Sequence, residues 1–238
     1  MARKIVLIDL DGTLTRSDEG IISSVKYAYR DNNIPVPDDK TLNSFIGPAI
    51  MDSMRRTGVS EEKLPDMVKS YRYAYRNSIF DDPKHPGEKL PGMYLNEVYD
   101  GIFEALDEMH AKGYYLAVCT AKPEPQALPI CEHFGLMDHM DALYGASNDA
   151  SRINKDQVVA YACEKLNYQP GEDLALMVGD RWTDVDGARD GAHLDCVGAR
   201  WGYADPGELE EHGCYAFAQT PRDLPAVVDE YFAAKFNK

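Results

Sequence analysis

Residues 5–15 read IVLIDLDGTLT. An apolar, β-favouring run stops at two aspartates with one leucine between them, and a glycine follows at once. Such a run, with no polar alternation, is the pattern of a strand buried on both faces, as in a parallel sheet covered by helices. Ligands of open α/β sheets bind outside the carboxyl ends of the strands. Side chains two apart along a strand face the same side. Asp9 and Asp11 can therefore both face one pocket, and Gly12 lets the chain turn tightly behind them and leaves backbone N–H groups for an anion.

The remaining sequence repeats this rhythm. Further short apolar segments at 115–119, 142–144, 174–178 and 195–198 read as buried strands beside 4–8. Val98, Ile102, Leu106 and Met109 recur at helical spacing ahead of Gly113, and Val158, Val159, Ala162 and Leu166 do the same. Strands alternating with helices predict an α/β fold, a doubly wound parallel sheet with a Rossmann-like core. One stretch breaks the pattern. From about residue 16 to residue 88 no strand is evident, and charged, tyrosine-rich amphipathic helices end in DDPKHPGEKLPGM. This predicts an inserted α-helical domain over 16–88, with the core built from 1–15 and 89–238. The tetrapeptide YAYR occurs at 27–30 and 73–76 and reads as coincidence.

In a parallel sheet the reactive strand ends converge on one rim. The first segment ends in Asp9 and Asp11. The second runs into Thr120, Ala121 and Lys122, and the fourth into Asp180, with Asp184 four residues on. Lys155 opens the helix ahead of the fourth strand. Carboxylates gathered within ~4–6 Å repel by several kcal/mol per pair at an effective dielectric of about 20, so a cation belongs among them. Oxygen ligands without His or Cys suit Mg²⁺. One aspartate can then attack phosphorus, while the other protonates the leaving oxygen and later deprotonates water. Thr120 and Lys155 would hold phosphate oxygens.

Charge and cysteine content narrow the classes. With a formal charge of −15 the chain lacks the positive footprint of a nucleic-acid binder. Positive charge at an anionic substrate must therefore be local. No apolar run approaches the ~20 residues of a membrane span, and the basic start MARK runs straight into a strand, so no targeting segment is expected. The five cysteines, at 119, 131, 163, 196 and 214, form no CxxC pair and read as reduced thiols of a cytoplasmic protein.

DLDGTLT, the threonine at 120, the lysine at 155 and GDRWTD resemble, in order, the four motifs of the haloacid dehalogenase superfamily. EALDEMHAKGYYLAVCTAKP, ICEHFGL, LMVGDRWTDVDGARDGA and VGARWGYADPGELEEHG are similar to its phosphoglycolate phosphatase-like branch, and SFIGPAIMDSM resembles that branch's cap segment. The resemblance implies Asp9 as nucleophile and Mg²⁺ ligand, and Asp11 as acid/base with its carbonyl on the metal. It further implies metal contacts for Asp180 and Asp184 and phosphate binding by Thr120 and Lys155. Gly12, Thr13, Thr120, Ala121, Lys122 and Lys155 are the implied substrate contacts. The second aspartate, absent from the family's dehalogenases, implies phosphate chemistry. Ala121 stands where a serine is common, and Pro125 and Pro129 should shift or kink the next helix.

These readings give a Mg²⁺-dependent phosphatase for a small phosphomonoester, working through an aspartyl-phosphate under a closing cap. A sugar-phosphate mutase, 5'-nucleotidase or pyrophosphatase of the superfamily, or a non-enzymatic phospho-ligand binding protein, is the alternative. The partner expected is a small phosphorylated metabolite, with no nucleic acid and no membrane, for a monomer or homodimer. His133, His139, Arg55 and Arg56 read as surface residues, Trp182 and Trp201 as packing, and Tyr71, Tyr73 and Tyr75 as a set with at least one exposed member.

Overall fold

The computed structural model describes residues 2–149 and 151–236. The chain divides into two compact units, Met1–Thr15 with Val98–Lys238, and Arg16–Glu97. The helices, in chain order, are α1 (Asp18–Asp31), α2 (Asp39–Asn43), α3 (Ile50–Arg56), α4 (Leu64–Arg76), α5 (Ile102–Ala111), α6 (Glu124–His133), α7 (Lys155–Lys165), α8 (Trp182–Ala192), α9 (Glu208–Glu211) and α10 (Leu224–Phe236).

The core unit is built on a sheet of β1 (Lys4–Ile8), β2 (Tyr115–Pro123), β3 (Ala142–Ala146), β4 (Leu174–Gly179), β5 (Asp195–Ala199) and β6 (Ala216–Ala218). The strands lie in the order β3-β2-β1-β4-β5-β6, and each neighbouring pair is parallel. The chain winds outward from β1 through β2 and β3, then returns to the other side of β1 for β4. That reversal opens a crevice at the carboxyl ends of β1 and β4, the topological switch point of a doubly wound sheet.

Both faces of β1 are covered, as its unbroken apolar run requires. Ile5 and Leu7 join Ala117, Cys119, Met177 and Cys196 against Val158, Val159 and Ala162 of α7 and Val185 and Ala188 of α8. Val6 and Ile8 are equally buried, and by strand alternation they face the opposite layer. The five expected strands are all present. β6, three residues long, went unread because so short a segment carries no pattern.

Three local expectations need correction or detail. Val98 does not begin a helix: it lies in a two-residue strand, Glu97–Val98, and α5 starts only at Ile102. Gly101, with φ 90°, separates the two. Pro125 sits in the first turn of α6, where its missing N–H leaves no bond unmade, while Pro129 lies inside that helix. The register between β2 and β3 shifts between Thr120 and Pro123. Gly135, with φ 74°, follows the end of α6 and parts His133 from His139.

The helical unit packs α1 on α4, burying Val25, Ala28 and Tyr29 of one and Met67, Tyr71 and Tyr75 of the other. Tyr73 is half exposed, so the three tyrosines of α4 do divide between faces. Arg55 pairs with Asp52 and Glu61, each at 2.8 Å, and Arg56 donates to Ser44 O and Ser53 Oγ, both at 2.9 Å. The unit extends past residue 88 to Glu97. Lys89–Leu90 pairs with Phe80–Asp81, and the turn after it seats against α1 through two glycines. A Cβ on Gly20 would lie 1.9 Å from Gly92 O, and one on Gly92 would lie 2.3 Å from Ser24 Oγ. Gly20→Ala should therefore force this contact apart and destabilise the protein by about 1–3 kcal/mol in urea unfolding. An unchanged midpoint would show that the contact is not needed.

Candidate active site

β1 and β4 deliver the acidic groups. Asp9 follows Ile8 and stays on the ladder, its N–H donating to Val178 O at 2.9 Å. Gly12 then takes φ 90°, in the left-handed region. The chain folds back, with the Leu14 and Thr15 N–H groups donating to Leu10 O at 3.0 and 2.9 Å. The Gly12 N–H itself is not among the groups left for an anion, because Thr15 O accepts it at 2.8 Å. What Gly12 supplies is room: a Cβ there would lie 2.2 Å from Asp180 Oδ2. Thr13 also turns to Asp180, its Oγ1 donating to Oδ1 at 3.1 Å. Both residues seat a carboxylate.

Asp180 is wholly buried just past β4 and accepts the Tyr203 N–H at 2.7 Å. Asp184 is wholly buried in the first turn of α8. Its Oδ2 accepts the Arg181 N–H at 3.0 Å, and its Oδ1 lies 2.7 Å from Lys155 Nζ. Asp184 thus caps a helix and belongs to the cluster as well. Lys155 opens α7, where Nζ also lies 2.7 Å from Asp9 Oδ1 and donates to Cys119 O at 3.0 Å. Gly187 of α8 makes way for its stem, since a Cβ there would lie 2.4 Å from Lys155 Cγ.

β2 brings the remaining candidates. Val118 pairs with Ile8, so Thr120 stands level with the Asp9–Asp11 turn. Thr120 is buried, and its Oγ1 accepts the Lys122 N–H at 3.2 Å. Ala121 is half-buried beside it. Lys122 places Nζ 3.0 Å from Asp11 Oδ2. Asp9, Asp11, Lys122, Lys155, Asp180 and Asp184 are thereby brought to one place. His133 and His139 are not, and His139 pairs with Asp107 at 2.6 Å. Trp182 is partly exposed, and Trp201 packs with Nε1 donating to Thr13 O at 3.0 Å.

The electrostatics are strained in a particular direction. Oxygens of Asp9, Asp180 and Asp184 lie within 4.8 Å of one another. At that separation each ionised pair repels by roughly 3–4 kcal/mol at an effective dielectric of about 20. Of the three carboxylates, the Lys155 ammonium contacts Asp9 and Asp184. Burial pushes the Asp9 carboxyl up to about 6; the Lys155 charge opposes the rise and Asp184 adds to it. Burial, then the charges of Asp184 and Asp9, holds the Asp180 carboxyl well above its usual range. Burial also works to lower the Lys155 ammonium, but Asp184 and Asp9 outweigh it and keep the group protonated.

Asp9 Oδ1 and Asp184 Oδ1 touch the ammonium yet accept no well-aligned hydrogen bond, and Asp11 Oδ1 is buried without a donor. A buried, all-oxygen, over-negative group with spare lone pairs fits a small hard divalent cation. Such an ion would sit with Asp9, Asp180 and Asp184.

One element of the site escaped the sequence reading: the turn after β5. Tyr203 donates its N–H to Asp180, and Gly202 is forced, since a Cβ there would lie 2.2 Å from Asp180 Cβ. Glu208 Oε1 accepts from Arg181 Nε and the Trp182 N–H, both at 2.8 Å. The signal was present in WGYADPG, a turn-rich run at the carboxyl end of a strand.

Comparison with known proteins places this geometry in context. The family described as Haloacid dehalogenase-like hydrolase matches residues 6–198. The tyrosine-protein kinase PtkA of Mycobacterium tuberculosis is 37% identical over 84% of the chain, which spans 63% of that protein's length. A 5'-nucleotidase of Pseudomonas aeruginosa is 34% identical, with 87% of each protein covered. A phosphoglycolate phosphatase of Mesorhizobium japonicum is 29% identical, with 86% of each covered. Among solved structures, a predicted phosphatase from Clostridium acetobutylicum superposes with TM-score 0.84 at 35% identity, over 97% of this chain and 100% of that one.

The raised Asp9 pKa has a consequence for the metal-free protein. The folded state holds this proton more tightly than the unfolded state does. Stability from Asp9 is therefore full below about 4 and lost as pH rises toward about 6. Asp9→Asn should raise the melting temperature of EDTA-treated protein at pH 7.5. The rise in pKa sets a ceiling of roughly 3 kcal/mol on the gain, which should shrink toward pH 4. A variant less stable than the parent at pH 7.5 would contradict the assigned strain.

Proposed function

The chain belongs to the haloacid dehalogenase-like hydrolase family, and on that premise we propose that it is a phosphatase acting on small phosphomonoesters through a phosphorylated Asp9. The observation that carries this reading is the placement of two separately partnered carboxylates at the switch point. Asp9 faces Lys155, and Asp11 faces Lys122. Two carboxylates with different neighbours can take different roles.

In the first step a carboxylate oxygen of Asp9 bonds to phosphorus as the phosphorus–alkoxide bond breaks. Asp11 gives its proton to the leaving oxygen. In the second step water attacks the phosphoaspartate, Asp11 takes the water's proton, and the Asp9–phosphorus bond breaks to free inorganic phosphate. Lys155, held protonated, offsets charge on the transferring oxygens beside Asp9, and Thr120 supplies a hydroxyl at the same rim. Lys122 orients Asp11 and is placed to meet the substrate. Asp9, Asp180 and the Asp11 carbonyl, with Asp184 in support, would hold Mg²⁺, which would supply neutralisation of phosphoryl charge.

The relatives frame the substrate. Phosphoglycolate phosphatase and 5'-nucleotidase both cleave a phosphomonoester, and the core residues suit either. A second reading rests on the identity to PtkA: the phosphoryl group on Asp9 would pass to a tyrosine hydroxyl in place of water. Helical-unit residues are proposed to choose among these. A small phosphorylated metabolite remains the partner proposed.

Hydrolysis of a generic aryl phosphate tests the class: EDTA should abolish turnover and Mg²⁺ restore it. Equal rates with and without the chelator would remove the metal from the proposal. A panel containing phosphoglycolate, nucleoside monophosphates and a tyrosine peptide with ATP separates the substrate readings.

Asp9→Asn should lower kcat at least about 10³-fold. Asp11→Asn should instead slow both steps and let a phosphorylated protein accumulate, seen as a gain of one phosphoryl group in the intact mass. An Asp9→Asn enzyme that keeps a tenth of the activity would exclude the nucleophile assignment.

A further inference from the structure

Two thiols outside the acidic cluster sit against each other. Cys196 lies in β5 and is buried; Cys214 lies just before β6 and is partly exposed. Cys214 Sγ is 3.1 Å from Cys196 O and 3.4 Å from Ala216 O, and Cys214 packs against the buried cluster that contains Cys196. Gly198 keeps this seat open, since a Cβ there would lie 3.1 Å from Cys214 Sγ. The Tyr215 N–H donates to Cys196 O at 2.9 Å, which fixes the two backbones side by side.

The segment between these cysteines is the clamp on the acidic cluster. It carries Tyr203, whose N–H holds Asp180, and Glu208, which holds Arg181 and the Trp182 N–H. It also carries Trp201, bound to Thr13 O, and Gly202, pressed on Asp180. We propose that Cys196 and Cys214 are a reversible redox pair, converted by a peroxide into a disulfide that covalently closes the clamp over residues 197–213. Neither phosphoryl transfer nor metal binding uses these thiols, so the inference stands apart from the proposed activity.

The chemistry balances with the peroxide as oxidant. The Cys214 thiolate attacks one peroxide oxygen, the O–O bond breaks, and a sulfenic acid and one water form. The Cys196 sulfur then attacks Cys214 Sγ, the S–O bond breaks, and a second water leaves with the Cys196 proton. Two S–H bonds are lost, one S–S bond is gained, and the peroxide is reduced by two electrons. Cys214 is suited to react first because it is the more exposed. The hydrogen bond from Cys196 holds its thiol below the usual value despite burial, with Arg200 in support. Cys196 is held well above the usual value by that same bond and by burial, which suits the resolving partner.

The test uses the whole protein with hydrogen peroxide. The intact mass should fall by about 2 Da, with dithiothreitol restoring it. Thiols titrated after denaturation should drop from the five present by two, and digestion should yield a linked Cys196–Cys214 peptide. Closing this loop should raise the melting temperature of the oxidised form by roughly 5–10 °C over the reduced form. Cys214→Ser and, independently, Cys196→Ala should remove both the mass loss and the shift. No reaction, oxygen added at Cys214 without a cross-link, a disulfide involving another cysteine or a second chain, or an unchanged melting temperature would each overturn the proposal.

Discussion

Asp9, Asp180 and Asp184 are buried within 4.8 Å of one another with one ammonium against two of them, and their mutual repulsion governs how the core around them is built. Burial raises the cost of every negative charge, and a single cation cannot offset three. The folded state holds the cluster together because other interactions hold each member in place. The Val178 ladder holds Asp9, the Thr13 hydroxyl and Tyr203 N–H hold Asp180, and the start of α8 holds Asp184. These bonds come from different elements, so no local rearrangement relieves the whole. Strain of this kind is a property of sites that bind something positive.

The glycines around the cluster follow from the same demand. Gly12, Gly179, Gly187 and Gly202 stand where a Cβ would lie 2.2–2.4 Å from Asp180, Asp184 or Lys155 atoms. Charged groups can be crowded this tightly only if the neighbouring backbone gives up its side chains. Only Gly12 among the four also needs its left-handed φ. The others are explained by close approach alone, which is a packing argument rather than a turn argument.

Much of this was legible in the sequence, for a physical reason. The strands that carry the site are buried on both faces, so their apolar runs are unbroken, and the reactive residues stand at the breaks where the apolar character stops. Asp9, Asp180 and Thr120 were readable as ends of runs, and Lys155 as the opening of a helix. Residues whose role depends on contacts across the fold were less legible. Tyr203 acts through its backbone N–H, which any residue but proline could supply, so its side-chain identity carries no signal. Glu208 lies in a run of acidic residues and is distinguished only by its distance to Arg181. That Thr15 takes up the Gly12 N–H was not legible either, because this choice of turn is invisible in the letters DGT. The boundary at residue 88 was drawn at a Pro/Gly-rich run, whereas the unit ends at Glu97 because Gly92 packs on Gly20, a contact between residues far apart in sequence.

The acidic groups, both lysines and the clamp after β5 all belong to the unit made of Met1–Thr15 and Val98–Lys238. The residues proposed to take up a phosphoryl group therefore come from one core, built from the two stretches of chain on either side of the helical unit. Relatives similar over 84–87% of this chain carry three different names, a kinase, a nucleotidase and a phosphoglycolate phosphatase. For this chain the proposed readings differ in which group is bound and in whether water or a tyrosine hydroxyl collects the phosphoryl group. Neither choice alters the demand for a neutralised, pre-positioned Asp9. A core under so strong an electrostatic constraint has little freedom to change, and variation in substrate is most readily accommodated in residues that carry no charge-balance duty.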